Sequence, residues 1–157
     1  MSAALRRLRA EVASDLALFE ARIAELATLP QLASGGGAPA QAAVALHHAY
    51  GAVEAALVRV ARVLEGSAPQ GADWHQELLT AMGLEIEGVR PRVLGDETIG
   101  RLRRLLSFRH FFRHAYGVAL DPARLEELRV VAIEVRPLVR RDFEELDRLL
   151  RALADGA

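Results

Sequence analysis

Apolar residues fall at steps of three and four along most of this chain, the spacing that gathers them on one face of a helix. Leu5, Leu8, Val12, Leu16, Phe19, Ile23 and Leu26 form the first such stripe and predict a helix from Ser2 to Leu29, stopped by Pro30. Leu32 to Pro39, with Gly35, Gly36 and Gly37 inside it, reads as a flexible loop. A second helix is expected from Pro39, which suits a first helical turn, to Glu65. Its buried stripe is Val53, Ala56, Leu57, Val60, Ala61 and Leu64, and Gly66 caps it. A short third helix should run from Asp73 to Met82, with Asp73 placed to cap it and Gln76 three residues on. After a connection from Gly83 to Leu94, Asp96 is the expected N-cap of a fourth helix. That helix turns Ile99, Leu102, Leu105 and Leu106 inward and should end near Gly117. Asp121 and Pro122 then make a cap and a first-turn proline for a fifth helix, which runs to about Ala154 with a kink at Pro137. No stretch alternates with period two. The expected fold class is all-α: one domain over residues 1–157, an antiparallel up-and-down bundle of four long helices and one short one, with a Gly-rich loop near 31–39.

Composition agrees with this reading. Of the 157 residues 52% are hydrophobic, mostly Ala, Leu and Val, and only 5% are aromatic, a mix that favours helices. All 20 basic side chains are arginine. The absence of cysteine removes disulfides, thiolate nucleophiles and cysteine metal sites, and fits a reducing compartment. Charges at Arg6, Arg7, Arg9, Glu11 and Asp15 precede any apolar core, so no signal peptide is read, and no run of 18 apolar residues predicts a membrane span. A soluble, cytoplasmic protein is expected.

Charge changes the picture in one place. The chain carries a formal net charge of -1, yet Ile99 to Leu120 holds Arg101, Arg103, Arg104, Arg109 and Arg113 with no Asp or Glu. Within it, Arg109-His110-Phe111-Phe112-Arg113-His114-Ala115-Tyr116 joins two arginines, two histidines and a tyrosine, the residue types that handle phosphate. Cleaving RNA without a metal needs a base for the 2′-hydroxyl, an acid for the leaving oxygen and a cation for the crowded phosphorane. A histidine can be the base or the acid near neutrality, and an arginine can clamp phosphate oxygens with two donors. Arg109 and His114 are the catalytic candidates; Arg104, His110 and Arg113 are candidates to hold the RNA phosphates. On a straight helix residues five apart point about 140° apart, so Arg109 and His114 do not share a face. Arg109, Arg113 and Tyr116 do, as do His110 and His114. Either the helix loosens at its end, or two copies of the chain line one cleft.

Arg109, four residues, His114, one residue and Tyr116 resemble the R-x(4-6)-H motif of the HEPN superfamily, extended to H-x-Y as in its HepT-like toxin branch. The stretch from Pro69 to His75, Arg90-Pro91 and the tail from Gly117 to Asp121 are also similar to positions in HepT-like proteins, and the helix order fits. The resemblance implies a homodimeric, metal-independent endoribonuclease, the toxin of a type VII (HEPN/MNT) toxin–antitoxin module, with Arg109 and His114 catalytic. His110 matches the polar residue that often follows the arginine in this family. The implied partner is a small nucleotidyltransferase antitoxin of MNT type that adds AMP to Tyr116. RNA is the implied substrate; no cofactor, metal, DNA or membrane enters.

Each residue also has an ordinary reading. Arg109 and His114 can solvate a helix end, where cations meet the negative end of the dipole. Tyr116 can sit at the edge of the core, and Phe108, Phe111 and Phe112 are read as packing. His110 and His114 have a metal-compatible spacing without a nearby acid. His47 and His48 point to different faces. Trp74 reads as a packing anchor, His75 as a polar first-turn residue, and Arg6, Arg7 and Arg9 as a solvated face. Two rival classes follow: a HEPN bundle that binds nucleotide or protein without cleaving, and a plain helical interaction protein. The pI of about 6.5 leans toward the first rival, since an unspecific grip on RNA wants a basic surface.

Overall fold

The computed structural model describes residues 2–114 and 119–156, except for the side chains of Ser2 and His114. Its helices are α1 (Ser2–Thr28), α2 (Ala38–Val60), α3 (Trp74–Met82), α4 (Asp96–His114) and α5 (Pro122–Asp155). A 3-10 turn spans Leu32–Ser34, and α2 runs on into a π turn over Ala61–Glu65. Among the described residues the only β pairing is an isolated bridge between Ile86 and Arg90.

Side-chain ties across the seams fix the topology. Arg59, at the end of α2, reaches Asp15 and Glu11 in the first half of α1. Arg9 near the start of α1 pairs with Asp147 late in α5, while Arg129 early in α5 donates to the carbonyls of Leu26, Leu29 and Pro30 at the end of α1. From α2 to α4 the contacts run in opposite directions, Glu54 to Arg109 and His47 to Phe112. Gly95 and Thr98 at the start of α4 meet Asp142 of α5, and Arg101 meets Glu134. The four long helices therefore go up, down, up and down, with α3 as the short crossover piece.

The predicted stripes form the core. Leu5, Leu8, Val12, Phe19, Ile23 and Leu26 of α1 are buried, as are Val53, Ala56, Leu57 and Val60 of α2, Ala61 of the π turn, and Ile99, Leu102, Leu105 and Leu106 of α4. At about 1.5–3 kcal/mol for each large apolar side chain taken from water, such stripes dominate the drive to fold. Alanines 42, 43, 45, 49, 52 and 56 line α2 and are buried, so its neighbours can pack closely against it. The segment after α1 is anchored where Leu32 is fully buried in its 3-10 turn.

Several local expectations need correction. Asp73 stands before α3 but its side chain makes no capping hydrogen bond; its backbone, at φ -104 and ψ 19, lies outside the extended region that aims a cap. Asp96 is the first residue of α4 rather than its cap, and its carboxylate pairs with Arg92. The cap comes from α5: Asp142 Oδ2 accepts from the Gly95 amide at 3.0 Å and from Thr98 Oγ1 at 2.6 Å. Phe111 does not pack in the core; it is 49% exposed and lines a groove of about 280 Å³ with Leu120, Arg124 and Leu125. Asp121 caps α5 as its sequence indicated, accepting from the amide of Ala123. Tyr116 and the expected helix end near Gly117 lie outside the described residues.

Candidate active site

Arg109 does not project into solvent. Its α4 face turns into the seam with α2 and α3, and its side chain is only 13% exposed. The guanidinium lies over the ring of Tyr50, 5.9 Å from the centroid, and its Nη2 is 3.5 Å from Glu54 Oε1. Glu54 and Tyr50 stand one turn apart on α2, and both are buried. The other Glu54 oxygen lies 2.6 Å from Nδ1 of His75, in the first turn of α3. An ionised carboxylate only accepts, so His75 Nδ1 carries the proton and donates it to Glu54. In neutral His75 the lone pair is then on Nε2. Arg109 Nη1 stands 3.5 Å from the same Nδ1; two donors face each other there, so the restraint on Arg109 comes from Glu54.

His75 is fixed on two more sides. Trp74 stacks on it at 3.7 Å, and the His110 ring meets it edge-on at 5.0 Å. Three helices thus bring together one cation, one carboxylate and two imidazoles. Tyr50 completes the floor: its hydroxyl is buried without a hydrogen-bond partner among the described residues. Burial, followed by the negative charge of Glu54, raises its pKa well above the usual phenol value. One turn earlier on α2, His47 packs against Phe112 with its Nδ1 buried and without a hydrogen-bond partner among the described residues. Burial, then the positive charge of Arg109, lowers the His47 pKa, with smaller contributions from His48 and Arg113.

The arginine-rich stretch therefore does not act as one field. Arg101 is paired with Glu97 and Glu134, Arg103 donates to Thr80 Oγ1, and Arg109 faces Glu54. Arg104 and Arg113 are exposed. Arg109 and His110 are brought into one cluster. His114 closes the described part of α4, and Tyr116 lies beyond it, so their side chains are not placed relative to Arg109.

Of the cluster, Glu54 escaped the sequence reading, and His75 was read there only as a polar first-turn residue. One signal was present: Glu54 interrupts an otherwise apolar stretch between Val53 and Leu57, and a carboxylate on a buried stripe demands a partner. Among the described residues no three His, Asp or Glu side chains gather as metal ligands would, and no helix is long and apolar enough to cross a membrane. A groove of about 570 Å³ between α1 and α5 is lined by Arg9, Leu16, Phe143 and Asp147, and there Asp147 is paired with Arg9.

Neither the curated proteins nor the solved structures yielded a match to this chain. A family model described as HepT-like protein matches residues 41–150, a span that contains Glu54, His75, Arg109 and the Tyr116 position. With that match over more than two thirds of its length and an all-helical bundle to go with it, the chain belongs to the HepT-like protein family.

Proposed function

We propose that this protein is a metal-independent endoribonuclease toxin working as a homodimer. In this reading one imidazole removes the proton of a 2′-hydroxyl, and the oxygen attacks the adjacent phosphorus. Another group protonates the departing 5′-oxygen, leaving a 2′,3′-cyclic phosphate and a 5′-hydroxyl end. Arg109 stabilises the charge of the phosphorane, and His114 is the acid or base. Arg104, His110 and Arg113 contact flanking phosphates. The observation that carries the reading is the setting of Arg109: the arginine of the family motif is held in a fixed seam beside the imidazoles of His75 and His110.

The reading extends to control. A nucleotidyltransferase antitoxin would transfer AMP to the Tyr116 hydroxyl, releasing pyrophosphate from ATP. The phosphodiester would then compete with RNA for the arginines through charge-assisted hydrogen bonds.

Purified protein should cut RNA in EDTA to cyclic-phosphate ends. His114→Ala, and Arg109→Lys, which keeps the charge but loses the fork, should each lower the rate by on the order of 10²-fold. Wild-type rates in both variants would sink the mechanism. Intact mass after co-expression with the nucleotidyltransferase should show added AMP on wild-type protein and none on Tyr116→Phe. Light scattering should give twice the chain mass. A second reading, a module that binds nucleotide or protein without cleaving, is favoured by one feature: Glu54 already faces the motif guanidinium. RNA bound but left intact in EDTA would select it.

A further inference from the structure

We propose that Glu54 and His75 are a positioning pair for Arg109, an inference that rests on the ribonuclease reading above. The arrangement is built rather than incidental. Glu54 and His75 are 5% and 8% exposed, and come from different helices. Glu54 uses both oxygens: Oε2 accepts from His75 at 2.6 Å, and Oε1 faces the Arg109 guanidinium at 3.5 Å. His75 holds the carboxylate in that orientation because Trp74 stacks on its ring and His110 closes its edge. The chain of restraint therefore runs from Trp74 to His75, from His75 to Glu54, and from Glu54 to Arg109.

Stability alone gives little reason for such a group. A buried ion pair is often no better for folding than apolar side chains of the same volume, because desolvation cancels the attraction. What the pair does supply is an arginine with its orientation set before RNA arrives. A free arginine side chain loses about 2 kcal/mol of rotamer entropy when it is fixed, equivalent to about 30-fold in rate. His75 acts here as a donor through Nδ1, not by exchanging protons with RNA.

That last statement makes the idea separable from general acid–base catalysis. In His75→Asn the side-chain amide N–H replaces Nδ1–H and keeps the bond to Glu54. His75→Phe fills the space without a donor, and Glu54→Gln removes the charge. We expect His75→Asn to stay within about threefold of wild type, a loss of well under one tenfold step in barrier terms. Glu54→Gln and His75→Phe should each lose about 30-fold in kcat, with KM changed less. A second readout needs no activity: the Arg109 Nε–H resonance in nitrogen-15 spectra. It should be ordered and slow to exchange in wild type and His75→Asn, and averaged in Glu54→Gln and His75→Phe. Circular dichroism and thermal melts identify any variant that fails to fold, and His75→Asn then decides by itself.

Loss of activity in His75→Asn equal to that in His75→Phe would overturn the proposal, since His75 would then be transferring protons. An increase in RNA binding and rate for Glu54→Gln would overturn it too, making Glu54 a mask instead of a support. If wild-type protein leaves RNA intact, the ribonuclease reading falls. The Arg109 resonance then still decides whether the pair holds the guanidinium: averaging in Glu54→Gln supports the pair, and an unchanged signal refutes it.

Discussion

Arg109 cannot be deleted without disturbing its neighbours. Its guanidinium faces a buried carboxylate, so Arg109→Ala leaves Glu54 with one cation fewer. That variant should lose about 1–3 kcal/mol of stability in denaturant titrations, and Arg109→Lys should lose less. Loss of activity in the alanine variant would therefore mix chemistry with folding. His47 makes a second residue-scale prediction. Its folded pKa lies below the ordinary 6.5, because burial and the nearby Arg109 disfavour the imidazolium. As pH falls below about 6.5 the unfolded chain takes up a proton that the folded chain does not, so this group lowers stability on the acid side and contributes nothing above it. Thermal melts of the wild type should decline between pH 7 and 5, and His47→Gln should decline less; parallel curves would refute this. The sequence displayed Arg109 and His110 openly, because both stand next to each other in the one basic stretch of α4. Glu54 and His75 were hidden because their meeting depends on how α3 docks against α2, which no local pattern records.

Helices were legible where one face is apolar: α1, α2 and α5 begin and end within a few residues of the expectation. Their ends were less so. Asp121 caps its own helix two residues on and could be read locally, whereas α4 is capped from α5 across a separation of 47 residues. Asp142 also takes the Thr98 hydroxyl, so it joins the start of α4 to the middle of α5 with two bonds from one buried oxygen. Asp142→Ala leaves both donors without that acceptor. We expect a loss of about 2 kcal/mol, seen as a fall of about 4–8 °C in melting temperature. Asp96→Ala, which touches only an exposed pair with Arg92, should change stability by less than about 1 kcal/mol. The reverse order would mean that α4 is capped locally after all.

Across the whole molecule, positive charge is divided into arginines that already have a carboxylate and arginines that face water. The net charge of -1 conceals that division. Arg104 and Arg113 are exposed, and RNA held by them should displace bound salt cations. For single strands each such contact adds about 0.7 to the slope of log affinity against log salt, so Arg113→Ala should flatten that slope by about 0.7. Arg109 differs because Glu54 is its built-in counter-ion. When RNA reaches it, Glu54 stays beside the guanidinium, so the pair brings no net charge to the phosphate and few ions of the solution take part. Arg109→Lys should therefore leave the salt slope unchanged while the rate collapses. The residue most needed for the reaction would be the one to which ionic strength is nearly indifferent.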